Sequence, residues 1–99
     1  MKLKPSEVEL VGKWVTMNNH VLEDETCERI RWLTAHHFRR VASSREWGDW
    51  EMLFEDPDDG RLWEQTYPQS EMQGGGPPRL SVVSREQAKA KYQLAASPG

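Results

Sequence analysis

The chain has 99 residues and a net charge of −3, which limits it to one small domain. Only eighteen residues are Leu, Ile, Val or Phe, but five Trp add apolar surface, so we predict a folded, thinly cored domain. No apolar run could span a membrane, no stretch resembles a secretory signal, and the single cysteine, Cys27, excludes an internal disulfide. We expect a cytoplasmic domain over residues 1–99, with a core at 5–92 and a frayed tail at 93–99.

The first half of the chain predicts a helical turn, a hairpin and a long helix. Residues 6–9 have the Ser-x-x-Glu spacing of a capping box. Met17–Asn19 separates two apolar runs, and because asparagine tolerates the left-handed region, we predict a hairpin there. A helix then begins after Asp24 and continues to about Ala42, with acids in its first turn and arginines in its last.

The predicted helix has an apolar side that we assign to the core. At 100° per residue, one half of the helical wheel carries Cys27, Ile30, Leu33, Thr34, His37, Phe38 and Val41. Trp32 projects from the opposite side, so either a second layer covers it or it is exposed for contact.

The second half of the chain predicts a hairpin, a last strand and a short helix. Trp50, Met52 and Phe54 alternate with other residues as in a strand, and residues 56–60 form a turn around Pro57 and Gly60. Partner strands follow at 61–67 and 80–83, and Ser84 caps a helix over 85–92. The predicted fold class is α+β: a small antiparallel sheet of about five strands, with one main helix packed on a face and a short C-terminal helix.

The charge is strongly polarised along the chain. Residues 46–71 hold nine acids and one base, a net −8, whereas residues 29–45 hold five arginines and no acid. One interpretation is that these two segments lie close together and partly neutralise each other. The other is that acids beside Trp47, Trp50 and Trp63 form a surface that grips a basic protein.

Enzymatic and metal chemistry find little support in the residue spacing. Residues 56–60 lack the EF-hand pattern, because the glycine falls at position 5 and Tyr67 at position 12. The spacing of Cys27, His36 and His37 matches no zinc motif, so we interpret His37 as a hydrogen-bonded core histidine. The run GGGPP leads into a strand and lacks the lysine of a phosphate loop. We therefore expect no enzyme, no metal and no cofactor.

Several motifs, in this order and spacing, carry a resemblance to a known family. They are Leu10-Val11-Gly12-Lys13-Trp14, Cys27-Glu28-Arg29-Ile30-Arg31-Trp32-Leu33, Leu53-Phe54-x-Asp56-Pro57-x-Asp59-Gly60-Arg61-x-Trp63-Glu64, Tyr67-Pro68 and Gly74-Gly75-Gly76-Pro77-Pro78. Over roughly residues 5–92 the chain resembles the immunity protein 27 family, small cytoplasmic proteins associated with bacterial polymorphic toxin systems. Gln73 is a departure, where the family favours histidine.

The resemblance implies that the protein protects its producer by occluding the active or substrate-binding site of a cognate toxin domain. We expect that toxin to be basic and to act on nucleic acids or nucleotides. The predicted toxin-binding residues are Trp32, Trp47, Trp50, Glu55, Asp56, Asp58, Asp59, Arg61, Trp63, Glu64, Tyr67 and Glu71. Two alternatives stay open: a small nucleic-acid-binding module that uses the arginine-rich helix, which the acidic segment disfavours, and a structural adaptor.

Overall fold

The computed structural model describes residues 2–44, 48–69 and 76–92. Its strands are β1 (Glu9–Val11), β2 (Trp14–Met17), β3 (His20–Glu23), β4 (Arg39–Ser44), β5 (Gly48–Glu55), β6 (Leu62–Thr66) and β7 (Arg79–Val83). Its helices are α1 (Glu25–Trp32), which continues into a π-helical segment at Leu33–His37, and α2 (Arg85–Tyr92).

Five of the strands form one antiparallel sheet in the order β1-β7-β6-β5-β4, and β2 pairs only with β3 in a separate hairpin. The central strand β6 is flanked by β5 and β7, with Trp63 opposite Phe54 on one side and Val82 on the other. This architecture confirms the predicted α+β class.

Each face of the sheet is covered by one helix, because successive side chains of a strand point to opposite faces. On one face, Ile30 and Leu33 pack against Phe54, Trp63 and Leu80. On the other face, the α2 residues Ala88 and Tyr92 pack against Leu53 and Leu62. The core is therefore split into two thin layers with the sheet between them.

Several elements begin or turn where their turn and capping residues predicted. Asn18 and Asn19 have φ of 52° and 66°, the left-handed pair that a two-residue hairpin needs. The Asp24 side chain accepts the Cys27 N–H at 2.9 Å and so caps α1, and Ser84 and Gln87 bond reciprocally at the start of α2. Gly60, at φ +75°, closes the β5–β6 turn by donating its N–H to the Asp56 carbonyl.

The predicted helix over 24–42 is wrong at its end. The helical backbone ends at His37, and Phe38 is extended, with ψ of 150°, and donates its N–H to the Leu33 carbonyl. Residues 39–44 form β4 because they pair with β5, which satisfies their backbone groups through a partner distant in sequence. Phe38 still reaches the core beside Phe54, but from the start of a strand.

The helical turn predicted at residues 6–9 is also wrong. The chain turns earlier, where Glu7 donates its N–H to the Lys4 carbonyl and accepts the Lys4 N–H on its carboxylate. Glu9, which the capping box required, instead begins β1 opposite Ser81. This turn satisfies the local hydrogen bonds that the helical turn would have made. Pairing with β7 therefore determines that Glu9 lies in a strand.

Candidate functional site

The ten predicted toxin-binding residues that the structure describes do not share one surface. Glu55, Asp56, Asp58, Asp59 and Arg61 lie at or beside the β5–β6 turn. Trp50 lies near the other end of β5, with Tyr67 just after β6. Trp47 and Glu71 fall outside the described residues.

Asp56 is a structural residue of the turn, which corrects its assignment as a partner contact. It is only 2% exposed, and its Oδ1 accepts the Asp58 N–H at 2.9 Å. The same oxygen lies 3.1 Å from His37 Nε2, which gives His37 the hydrogen bond expected of a core histidine. A toxin could not reach this carboxylate without opening the turn.

Acids of the described part of segment 46–71 are paired within the fold. Arg39 of β4 bonds Glu55 at 2.6 Å, so the expectation that the basic and acidic segments lie side by side is confirmed for this pair. Lys91 reaches both Glu51 and Glu64, at 2.6 and 2.7 Å. The remaining pairs are Asp59 with Arg61, and Asp58 with Lys2 and His37. Three bases from outside the segment, Lys2, Arg39 and Lys91, therefore offset part of its net −8.

Hydrogen bonds at the turn also hold Asp59 in its charged form. The Arg61 N–H donates to Asp59 Oδ1 at 3.0 Å, and the Arg61 guanidinium to Oδ2 at 2.7 Å. These donors, the backbone N–H first, lower the pKa of Asp59 below its ordinary value. Asp59 is ionised at neutral pH and rigidly placed, although its charge is already shared with Arg61.

Trp63 is a core residue, so its side chain offers no exposed surface for the predicted contact with a partner. Its side chain is fully buried, stacks on Phe38 with 6.2 Å between ring centroids, and is covered by the Arg61 guanidinium at 5.1 Å. Alternation along β6 explains the burial, since Leu62 and Trp63 point into opposite layers and a helix covers each.

Trp32 does not project freely from α1 either. It is partly buried against the core, and its ring stacks on His37 with a 5.7 Å centroid separation and a 13° interplanar angle. The cause is the π-helical segment, whose wider turn sets residues five apart next to each other. A regular α-helix would have left Trp32 on the opposite side from His37.

The predicted arginine-rich helix is divided, because the helical backbone ends at His37 and β4 begins at Arg39. Arg29 lies on α1 and makes two hydrogen bonds to Glu7, at 2.6 and 2.7 Å, whereas Arg39 and Arg40 lie on β4. Arg40 donates to the Ser43 hydroxyl at 2.6 Å. The nucleic-acid alternative required these arginines on one helix, and the fold separates them.

A groove of about 370 Å³ lies between α1, the β2–β3 hairpin and the uncovered end of the sheet. Trp14 enters it from the hairpin, and Met52 and Tyr67 enter it from the sheet side. Glu23 and Arg31 also line the groove and form an ion pair with each other. The groove is open to solvent, and polar and apolar side chains contribute about equally to its lining.

Exposed aromatic surface continues beyond the groove at Trp50. Its side chain is 49% exposed, and its ring stands edge-on to Tyr67 at 5.1 Å and 78°. Both residues were predicted to bind a partner, and the structure brings them together. The contact restrains the Trp50 ring, so less rotamer freedom is lost when a partner covers it.

The hairpin contributes an apolar face that the sequence interpretation missed. In its register Val15 lies opposite Leu22, and Met17 follows two residues later on the same side. These three side chains are between 44% and 59% exposed. The missed signal was the pairing across the Asn-Asn turn, which aligns three apolar residues outward while Trp14 points into the groove.

A small α+β domain with paired charges, a groove of mixed polar and aromatic lining, and exposed apolar side chains beside it has features of a binding protein. The family model described as Immunity protein 27 matches residues 16–84, more than half of the chain. The chain therefore belongs to the immunity protein 27 family. No curated protein and no solved structure matched it. Among the described residues, no helix is long and apolar enough to cross a membrane.

Proposed function

We propose that the protein binds a cognate toxin domain through the groove and its borders, and neutralises the toxin by covering its active or substrate-binding site. The observation that carries this proposal is exposed apolar surface near the groove, at Trp50 and on the outer face of the hairpin. Family membership supplies the class of partner, and no catalytic group is needed for inhibition by occlusion.

Two exposed apolar surfaces near the groove have the properties of an interface centre. On the sheet side, Trp50 is a half-exposed aromatic residue already oriented by Tyr67, and tryptophan is enriched among residues that dominate binding energy. On the hairpin side, Val15, Met17 and Leu22 expose side chains that gain free energy when water is removed from them.

The acidic turn contributes to the rate of encounter in this proposal. Asp58 is 53% exposed and Asp59 36% exposed, and the whole chain carries a net −3. Charges at the rim of an interface mainly steer association. The toxin partner is accordingly proposed to be basic, to act on nucleic acids or nucleotides, and to be met in the cytoplasm.

The test is the substitution Trp50→Ala, measured by calorimetric titration with the toxin domain and by survival of cells that express it. We expect affinity to fall at least about thirtyfold, equivalent to about 2 kcal/mol, with little change in melting temperature because the ring is half exposed. Val8→Ala is the matched control, since Val8 is 61% exposed and does not line the groove. Unchanged affinity and full protection in Trp50→Ala would contradict the proposal.

The double substitution Asp58→Asn and Asp59→Asn separates steering from contact. Asparagine keeps a turn-compatible side chain, so we expect the fold to survive. Association should slow at low salt while dissociation stays unchanged. If the double variant dissociates much faster while Trp50→Ala binds normally, the acidic turn and not Trp50 is the main contact.

A further inference from the structure

Three side chains with metal-binding atoms converge where the π-helical segment meets the β5–β6 turn. His37 Nε2 lies 3.1 Å from Asp56 Oδ1 and 3.3 Å from Asp58 Oδ2. All three atoms lie within 4.8 Å of one another. Neither segment carries a metal motif alone, and the set exists only because the helix ends at His37 beside the turn.

The spacing of these atoms suits a small divalent ion. Zinc bonds of about 2.0–2.2 Å place neighbouring ligand atoms roughly 2.8–3.6 Å apart for tetrahedral to octahedral angles. The two distances from His37 Nε2 fall within that range. An ion would take the place of the proton between His37 Nε2 and Asp56 Oδ1.

Two of the three side chains, those of His37 and Asp56, are already held in position. The third, that of Asp58, is exposed and leaves the cluster open to an ion from solvent. The side chain of His37 is 9% exposed and stacked on Trp32, and that of Asp56 is 3% exposed and fixed by the Asp58 N–H. Asp58 is 53% exposed, and the Lys2 ammonium lies 3.6 Å from its carboxylate. An arriving ion would have to displace this exposed ammonium as well as the proton between His37 and Asp56.

We propose that His37, Asp56 and Asp58 bind a divalent transition-metal ion of the zinc class, with an open coordination position toward solvent. One imidazole nitrogen and two carboxylates favour such an ion over Ca²⁺ or Mg²⁺, which prefer sets made only of oxygen. The bound ion would link the end of the helix to the turn. None of the three residues lines the groove, and of the three only Asp58 also belongs to the turn that is proposed to steer toxin association.

The experiment is calorimetric titration of the untagged, chelator-treated full chain with ZnCl₂, together with thermal melting. We expect one Zn²⁺ per chain, a raised melting temperature, and at least tenfold weaker binding of MgCl₂ and CaCl₂. No heat of binding and no shift in melting temperature with ZnCl₂ would overturn the proposal and leave a His37–Asp56 hydrogen bond as the whole role of the cluster.

Variants of the proposed ligands, compared with variants of similar residues outside the cluster, test where the ion binds. Asp58→Asn and His37→Gln should each weaken Zn²⁺ binding at least tenfold. Asp59→Asn, a neighbouring turn acid outside the cluster, and His20→Gln, an exposed histidine of the hairpin, should bind Zn²⁺ as the unmodified chain does. If His37→Gln fails to fold, Asp58→Asn decides alone, since its side chain is half exposed and its backbone bond to Asp56 remains. Unaltered binding in Asp58→Asn would refute the assignment.

Discussion

At the residue scale, the pair between Glu7 and Arg29 fastens the N-terminal segment to α1. The guanidinium donates to both carboxylate oxygens and also to the Lys2 carbonyl at 2.8 Å. Hydrogen bonds from Arg29, followed by the Lys4 N–H, lower the pKa of Glu7 from 4.5 to about 2. Each side chain is about one quarter exposed, so solvent screens part of this interaction.

The lowered pKa gives a stability dependence with a definite sign. Because the folded-state pKa lies below the unfolded value, the stabilisation is fully present above pH 4.5 and is lost as the pH falls through about 2. We predict that Glu7→Gln lowers the free energy of unfolding by about 1–2 kcal/mol at pH 7 and by less than half of that at pH 3.

Urea titrations at both pH values measure this difference. The control is Glu9→Gln, because the Glu9–Arg79 pair is more exposed and should contribute less than about 0.5 kcal/mol. An equal loss for Glu7→Gln at pH 7 and pH 3 would show that the charge of Glu7 is not the cause.

At the element scale, β1, α1 and the residues before β7 meet around Gly12. Its N–H donates to the Pro78 carbonyl at 2.9 Å, and a Cβ added here would lie 2.6 Å from Cys27 Sγ and 2.8 Å from that carbonyl oxygen. The backbone of Gly12 is not left-handed. Space alone therefore requires glycine at this position.

We predict that Gly12→Ala lowers the free energy of unfolding by about 1–3 kcal/mol through overpacking. Part of this cost should disappear when Cys27→Ala is also present, because one of the two clashes is then removed while the Pro78 carbonyl remains. Chemical denaturation of the double-mutant cycle measures that coupling. Strict additivity of the two substitutions would contradict the close packing.

Elements with their own local chemistry were predictable from the sequence, and those decided by distant pairing were not. The Asn-Asn hairpin, the Pro57–Gly60 turn and α2 all carry turn or capping residues. Residues 39–42 continue a helical pattern, and pairing with β5 makes them a strand. The site residues could not be fully predicted for the same reason. Trp50 and Trp63 both lie in strand-like sequence, and their exposure differs because a helix covers Trp63 and leaves Trp50 half exposed.

At the scale of the whole molecule, stability is distributed unevenly. In β2 and β3 only Trp14 is partly buried, whereas β6 is flanked by strands and covered on both faces. We predict that amide hydrogens of the hairpin exchange much faster than those of β5, β6 and β7. Adding the toxin domain should slow exchange in the hairpin and near Trp50, as mass spectrometry of deuterated peptides would show. Protection confined to residues 56–60 would instead favour the acidic turn as the contact.

The pairing of β1 with β7 has a consequence for how the protein is made. Glu9 and Arg79, 70 positions apart, bond each other across this junction. A ribosome adding about 5–20 residues per second needs roughly 4–14 s between synthesis of the two strands. During that interval β1 has no partner, and β6, once it is made, has one open edge until β7 follows. A chain that ends before residue 79 therefore lacks the strand that joins β1 to β6, and both of these edges stay unpaired.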